Sequence, residues 1–463
     1  MASLKVLNPF DQSVVCDWTM DTPKTLAAKL GSAEKAYQKW HRLSLDERIR
    51  QVREGLKRFR ASGAETARQI TQQMGKPLAQ SEREVETFFE RAEYMVSIAK
   101  DTLSPEILPH KEGFLRRIEH RPLGIVLNLA AWNYPLLIPV NVIVPALLAG
   151  NAVLLKHSAM TPLCGQAFEK AFGHLDVPGL VTAISATHED TARLMKDPRI
   201  TYVAFTGSVE GGRKMAQQTA AQLIDVGLEL GGKDPAYVAE DADLDFAVAN
   251  IVDGACYNAG QSCCSVERVY VHRRHYDAFL QRAQGVMTAY RLGDPLKSET
   301  TMGPLAQRAA LPRLEARVAK ARAQGARVLC GGKRLPKSRG NFFPPTLVAD
   351  VPQAASLMQE ESFGPILPVR AVAGDDEALA LMNDSSMGLT ASVWTQDPAR
   401  ADRLAGALEF GTVYQNRCDY LDPALPWSGA RQSGQGSTLS RFGFYALTRR
   451  QSIHFRQNKK GAC

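Results

Sequence analysis

Along the first hundred residues apolar side chains recur at helical spacing; beyond residue 115 they gather into short runs. Segments 27–40 and 45–61 carry apolar stripes of helical period, with Ser44 placed as an N-cap and Glu47 three residues on as its capping-box partner. The pattern resumes over 64–74, stops at Gly75, and continues over 82–99. These helices are expected to be scaffold, and no chemistry is assigned to them.

The runs beyond residue 115 lie at 124–130, 152–155, 180–185, 202–205 and 224–230, separated by helical stretches. Strands apolar on both faces belong in a parallel sheet covered by crossover helices, so the expected fold class is α/β with a doubly wound, Rossmann-type sheet. A second alternating α/β region extends from 232 to about 430, with a helix near 312–324, strands at 389–395 and 411–415, and a loop over 416–429. Residues 452–456 can pair as an edge strand. Gly231 and Gly232 form a natural joint between the two regions.

Length supports this division, because 463 residues exceed what one core usually organises. The 56 Lys and Arg outnumber the 48 Asp and Glu, but they are scattered, which argues against a nucleic-acid partner. Such a basic surface can instead steer anionic cofactors or substrates. Eight cysteines, two of them adjacent, match neither a disulfide framework nor paired metal ligands, so a reducing, cytoplasmic setting and no metal are expected. Pro9 and Asp11 stand where a signal peptide needs an apolar core. The most apolar run, 136–149, is broken by Pro139, Asn141 and Pro145, so no membrane partner is expected.

Ligands of doubly wound sheets bind beyond the carboxyl ends of the strands, which singles out the residues just after each run. After the first comes Ala131-Trp132-Asn133-Tyr134-Pro135: Pro135 can start a helix, and Asn133 is either a turn residue or a donor to a developing oxyanion. After the second comes Lys156, where dinucleotide folds usually place an acid on the ribose; it is a solvated strand end or a donor to hydroxyls or a 2′-phosphate. After the fourth, Gly207 lets backbone approach a phosphate and Ser208 caps a helix or binds the anion, with Gly211 and Gly212 inside that helix. The familiar G-x-G-x-x-G does not appear after the first strand. After the fifth comes Glu229, either a paired structural acid or a base of raised pKa.

The stretch these segments serve is Asn258-Ala259-Gly260-Gln261-Ser262-Cys263-Cys264, a glycine-containing turn between a helical pattern and a strand. Cys263 is a packing residue or a nucleophile. The second role needs surroundings that favour its thiolate.

Taken together, the segments resemble the aldehyde dehydrogenase superfamily over nearly the whole chain, from Asn8-Pro9 and Met74-Gly75-Lys76-Pro77 to Gly434 and Gly443. The most specific parts are Leu228-Glu229-Leu230-Gly231-Gly232 and Asn258-x-Gly260-Gln261-x-Cys263, with Cys263 34 positions after Glu229. The likeness implies that Cys263 attacks an aldehyde, that the oxyanion lies against the Asn133 amide and the Cys263 N–H, and that Glu229 activates water to release a free acid. It puts Trp132, Lys156, Ser158, Ala159, Gly207, Ser208, Gly212, Leu230, Glu361 and Phe363 around NAD or NADP. Phe363 packs beside the nicotinamide on this view, or is simply core. Tyr134, Ile138, Asn141, Tyr420, Leu421 and Trp427 become the substrate pocket, and Cys264 a packing neighbour.

The likeness also implies a cofactor-binding domain of residues 1–102 and 122–231 and a catalytic domain of 232–443. Residues 103–121 and 444–463 become a hairpin and tail for assembly into a homodimer or homotetramer, the tail exchanging with a partner subunit. No long arm is expected before Asn8.

Two departures from the family pattern sharpen the expectation. NAD-selective members carry a glutamate three residues after the lysine; here Ala159 stands there, so NADP should be accepted. Succinate semialdehyde members carry an arginine eight residues after the asparagine of W-N-x-P; here it is Asn141, which favours a neutral aliphatic or aromatic aldehyde, with Arg417 still able to reach in. The rival functions are a succinate-semialdehyde-type enzyme, a thiol esterase, and a catalytically silent binding or structural protein.

Overall fold

The computed structural model describes residues 3–336 and 338–457. The four amino-terminal helices form as their periodicity predicts, as Pro23–Trp40, Leu45–Ala61, Gly63–Met74 and Leu78–Leu103. Ser44 accepts from the Glu47 N–H while the Glu47 carboxylate accepts from the Ser44 N–H at 2.8 Å, which satisfies two otherwise orphaned donors. Gly75 ends the third helix at φ 83°, a left-handed position where a side chain would also meet Pro304 at 2.8 Å. Ahead of the helices, Ser3–Leu7 and Val14–Thr19 pair antiparallel. Hydropathy gives no sign of this pair, because most of its side chains are exposed or half-exposed and there is no buried face to alternate against.

The first large sheet runs in the order Gly434–Gln435, Asp225–Glu229, Ile200–Thr206, Ile125–Leu129, Ala152–Lys156, Val181–Ile184. Five of these strands match the five predicted runs to within two residues at either end. They are parallel; the sixth, Gly434–Gln435, comes from the far end of the chain and lies antiparallel on Asp225–Glu229. The chain starts mid-sheet at Ile125–Leu129, winds out to Val181–Ile184, then returns to build the other side. That reversal leaves a crevice at the carboxyl ends of Ile125–Leu129 and Ile200–Thr206, from which Trp132-Asn133 and Gly207-Ser208 emerge. Register aligns the edge: Lys156 is opposite Leu129, and Thr206 is opposite Glu229.

The helix after Pro135 begins two residues later than expected, as Leu137–Ala149. Every one of its residues is buried, so the run too broken to span a membrane is the central helix of the first core. Among the described residues no helix is long and apolar enough to cross a membrane.

The second large sheet has seven strands, in the order Arg327–Cys330, Thr346–Ala349, Ile366–Val372, Val266–His272, Asp234–Val238, Thr390–Trp394, Thr412–Gln415. All neighbours are parallel except the first pair. The helix expected near 312–324 is Ala310–Ala323. A third, antiparallel sheet joins Glu106–Ile107, Phe114–Pro122 and the last strand, Thr448–Arg456, which pairs within its own chain. Residues 458–463 of the expected tail lie outside the described residues.

Candidate active site

The cysteine turn is built by its own polar residues. Helix Leu244–Cys256 gives way to a tight turn, Tyr257–Gly260, in which Asn258, Ala259 and Gly260 all take positive φ, at 52°, 54° and 69°. Left-handed backbone is unfavourable for Asn and Ala, by about 1–2 kcal/mol per residue, so the surroundings must hold it. They do: Asn258 Nδ2 donates to the carbonyls of Asn133 and Gln261 at 3.1 Å each, and Gln261 Nε2 returns a bond to the Asn258 carbonyl at 3.0 Å. The Ala306 N–H donates to Gln261 Oε1 at 2.9 Å, and a Cβ on Gly260 would lie 2.4 Å from the Gly364 carbonyl carbon. From this clamped turn Cys263 emerges half-buried, while Ser262 and Cys264 are buried.

Cys264 is held differently. Its sulfur lies 3.0 Å from Asp419 Oδ1, which also accepts from Ser262 Oγ at 2.9 Å. The hydrogen bond with Cys263, then burial and the Asp419 charge, push the Cys264 thiol well above the ordinary range, so it stays protonated. Burial likewise pushes Asp419 up to about 7.

One cavity brings Cys263, Glu229 and Thr206 together with all six expected pocket residues, Tyr134, Ile138, Asn141, Tyr420, Leu421 and Trp427. Glu229 closes its strand with one carboxylate oxygen hydrogen-bonded by Thr438 Oγ1 and the other 3.5 Å from Thr206 Oγ1. Burial raises its pKa above the usual carboxylate value, and the threonine bonds and the Arg91 charge partly oppose that. Asn133 stands beneath the cysteine turn, its Nδ2 donating to the Gln261 carbonyl at 3.2 Å. Arg417 lies over the Tyr420 ring at 3.4 Å and is exposed.

The expectation that the amino-terminal helices carry no chemistry is corrected here. Helix Leu78–Leu103 lines the cavity with Gln80, Arg83, Glu84, Thr87 and Arg91. Glu84 forms a buried ion pair with Lys76 and accepts from the Leu136 N–H at 2.8 Å. Lys76 also donates to the Asn133 carbonyl at 3.0 Å and sits 4.1 Å over the Tyr134 ring. The pair therefore fixes the loop that carries Asn133. A signal for it existed: Glu84 and Arg91 fall on the buried stripe with Phe88, Ala92 and Met95, where a scaffold helix would be apolar throughout.

The cofactor side gathers at the switch point of the first sheet. Lys156 ends its strand half-buried, its pKa lowered by burial, with no ion pair among the described residues. Ser158 Oγ accepts from the Met160 N–H at 3.3 Å, and Ala159 is exposed. Ser208 caps the helix Val209–Ala220, accepting from Gly211 at 3.2 Å, and Gly207 precedes it. A Cβ on Gly212 would sit 2.6 Å from the Leu230 side chain, so glycine lets this helix lie directly on the strand end. Glu361 accepts from the Gly232 N–H at 3.1 Å and is pushed up to about 8 by burial and by Glu267. Phe363, at φ 53°, is held by its own N–H and that of Ser362 on the Glu267 carboxylate, at 2.8 and 2.7 Å, and meets Trp132 edge to face at 5.6 Å. A strand-end lysine in no ion pair among the described residues, a helix start capped by Ser208, and a carboxylate across the crevice fit a dinucleotide.

Comparison with known proteins agrees with this geometry. The model of the aldehyde dehydrogenase family matches residues 2–453. The succinate semialdehyde dehydrogenase [NAD(P)+] Sad of Escherichia coli is 33% identical over 446 residues, 96% of this chain and 95% of that protein. The lactaldehyde dehydrogenase of the same organism is 34% identical over 98% of this chain and 95% of its own length. Its crystal structure superposes with a TM-score of 0.94, covering 98% of this chain and 96% of that one. The betaine aldehyde dehydrogenase of Staphylococcus aureus in complex with NAD+ also reaches 0.94, at 28% identity, over 99% of this chain and 92% of that one. The chain thus belongs to the aldehyde dehydrogenase family, as an NAD(P)-dependent oxidoreductase that converts aldehydes to carboxylic acids.

Proposed function

We propose that Cys263 is the nucleophile and Glu229 the base of this oxidation. What carries the assignment is that a half-buried thiol on a clamped turn and a carboxylate of raised pKa line one cavity. The Cys263 sulfur adds to the aldehyde carbon, and the oxygen takes up the negative charge. Asn133 Nδ2 has two N–H groups and spends one on Gln261, so the other is free to hold that oxyanion together with the Cys263 N–H. Bound NAD or NADP supplies the acceptor for the hydride that leaves the former aldehyde carbon. The thioester left on Cys263 is then opened by water, whose proton passes to Glu229, releasing the acid and restoring the thiol.

Lys156 and Ser158 would hold the adenosine ribose, and Gly207, Ser208 and Gly212 the pyrophosphate. Glu361 would take the nicotinamide ribose, with Trp132, Leu230 and Phe363 beside the ring. With Ala159 exposed and uncharged, nothing at that position repels a 2′-phosphate, so NADP is accepted as well as NAD. In this reading 1–102 with 122–231 is the cofactor-binding domain and 232–443 the catalytic domain. A cytoplasmic homodimer or homotetramer completes it, supported by exposed Ile107, Leu115 and Phe455 on the three-stranded sheet.

The test is absorbance at 340 nm with an aldehyde and either cofactor. The wild type should form NAD(P)H; Cys263→Ala should form none while still binding the cofactor. Ester cleavage without NAD(P)H would favour the thiol esterase, and binding without either reaction a silent family member.

A further inference from the structure

Two arginines are among the buried polar side chains near the site, and they use their donors differently. Arg268 donates from Nε, Nη1 and Nη2 to the carbonyls of Lys233, Leu381, Met382 and Asp384, which makes it a structural strut. Arg91 is 5% exposed and lines the cavity that holds Cys263. It makes one long bond, Nη1 to Asn141 Oδ1 at 3.3 Å, and its Nε has no partner among the described residues. None of the ion pairs among those residues includes it. A guanidinium has five N–H donors and keeps its charge, and burying it unpaired is strongly unfavourable.

Glu229 and Glu84 favour that charge from a distance, but none of the cavity's acids, Asp253 included, forms an ion pair or hydrogen bond with Arg91 among the described residues. Glu84 is engaged by Lys76 and the Leu136 N–H, Asp419 by Ser262 and Cys264, and Glu229 by two threonines. The other cation of the wall, Arg83, is already paired with Glu86 at 2.8 Å. A guanidinium that lines a substrate cavity with donors left unfilled by the protein is placed for an acceptor on the substrate. Glu229 in the same space disfavours a dianion such as phosphate, whereas a planar monoanion can take two parallel bonds from a guanidinium.

We infer that Arg91, steadied by Asn141, recognises a carboxylate on the aldehyde, so that the preferred substrates are ω-carboxy aldehydes. This inference rests on the Cys263–Glu229 reading and names its substrate class. Asn141 leaves its own helix, Leu137–Ala149, neutral at the pocket, and the guanidinium arrives from the neighbouring helix, Leu78–Leu103.

The test compares kcat/KM for succinate semialdehyde and glutarate semialdehyde with that for butanal and pentanal, matched in length, in wild type, Arg91→Met and Arg91→Lys. Wild type should favour the carboxylates, and Arg91→Met should lower the carboxylate-to-neutral ratio by about 10- to 100-fold, as expected for a lost charged hydrogen bond. The fall should lie mainly in KM for the carboxylates, and Arg91→Lys should recover part of it. A wild type that turns over butanal at least as well as succinate semialdehyde overturns the inference. So does an equal loss on both classes in Arg91→Met, which would make Arg91 a support for Glu229. Calorimetry needs no turnover: succinamate, an unreactive analogue, should bind wild type at least about ten-fold more tightly than butyramide does, the loss of one charged contact. Equal binding refutes the carboxylate site. Absence of NAD(P)H from every aldehyde refutes instead the Cys263–Glu229 reading, and succinamate binding then still decides the role of Arg91.

Discussion

Gly232 packs directly on the backbone of Cys263: a Cβ there would lie 2.6 Å from the Cys263 carbonyl oxygen and 2.5 Å from Asp234 Oδ1. The strand end that carries Glu229 and the turn that carries Cys263 therefore touch through main chain, and glycine is what permits it. A backbone oxygen cannot rotate away as a side chain can. Gly232→Ala should lower kcat at least about ten-fold by moving thiol and carboxylate apart, and destabilise the fold by about 1–3 kcal/mol. Pre-steady-state NAD(P)H formation and thermal unfolding check the two effects separately; unchanged kcat would show that the contact does not set the geometry.

The two adjacent thiols should behave as opposites. Both line the cavity, but Cys264 is buried and its pKa is raised by Cys263, burial and Asp419, so it should resist alkylation near neutral pH, whereas Cys263 is half-buried. Brief iodoacetamide treatment followed by peptide mass analysis should modify Cys263 and leave Cys264 unmodified, with loss of activity. Cys264→Ala should remain active. Preferential labelling of Cys264 would reverse the assignment.

Glu229 should set the acid limb of the rate of acid release. It acts as a base only when ionised, and burial raises its pKa, so the rate falls as pH drops through that raised value. The Thr438 hydroxyl opposes the rise by bonding the carboxylate. Thr438→Val removes that support, the pKa climbs further, and the limb should move to higher pH. Glu229→Gln should release one equivalent of NAD(P)H per active site and then stall as the thioester. Rapid-quench and pH-rate measurements on the three proteins decide it; steady turnover by Glu229→Gln would remove this carboxylate from the mechanism.

Cofactor choice should respond to one side chain. Ala159→Glu places a carboxylate two residues from the strand-end segment that carries Lys156 and His157, where a 2′-phosphate would be repelled. The kcat/KM ratio for NADP over NAD should fall by at least about ten-fold, the effect of roughly one unpaired like-charge contact near a protein surface. No change in the ratio would place the 2′-position elsewhere.

Much of the fold was legible in sequence because burial imposes period. The five parallel strands of the first sheet are covered on both faces and show as continuous apolar runs, and Ser44, Glu47 and Gly75 mark helix ends by local hydrogen bonding and backbone freedom alone. The strands Ser3–Leu7 and Val14–Thr19 left no such trace, since they cover no core on both sides. Of the candidate site, strand ends and a glycine turn single out the positions of Cys263, Glu229 and Asn133, because a doubly wound sheet presents its ligand side there, while their roles come only from the family resemblance.

What the sequence by itself determined is thus the amino-terminal helices, the five parallel strands of the first sheet in their order, and the residues at that sheet's edge. Tertiary structure alone decided which distant side chains complete the site: Arg91 on Asn141, 50 residues apart, Asp419 on Cys264, 155 apart, and Thr438 on Glu229, 209 apart. Periodicity reports the face on which a side chain lies, and local motifs report the turn it makes. Neither reports which buried charge will find a partner across the core, because that depends on how separate helices and loops converge after folding.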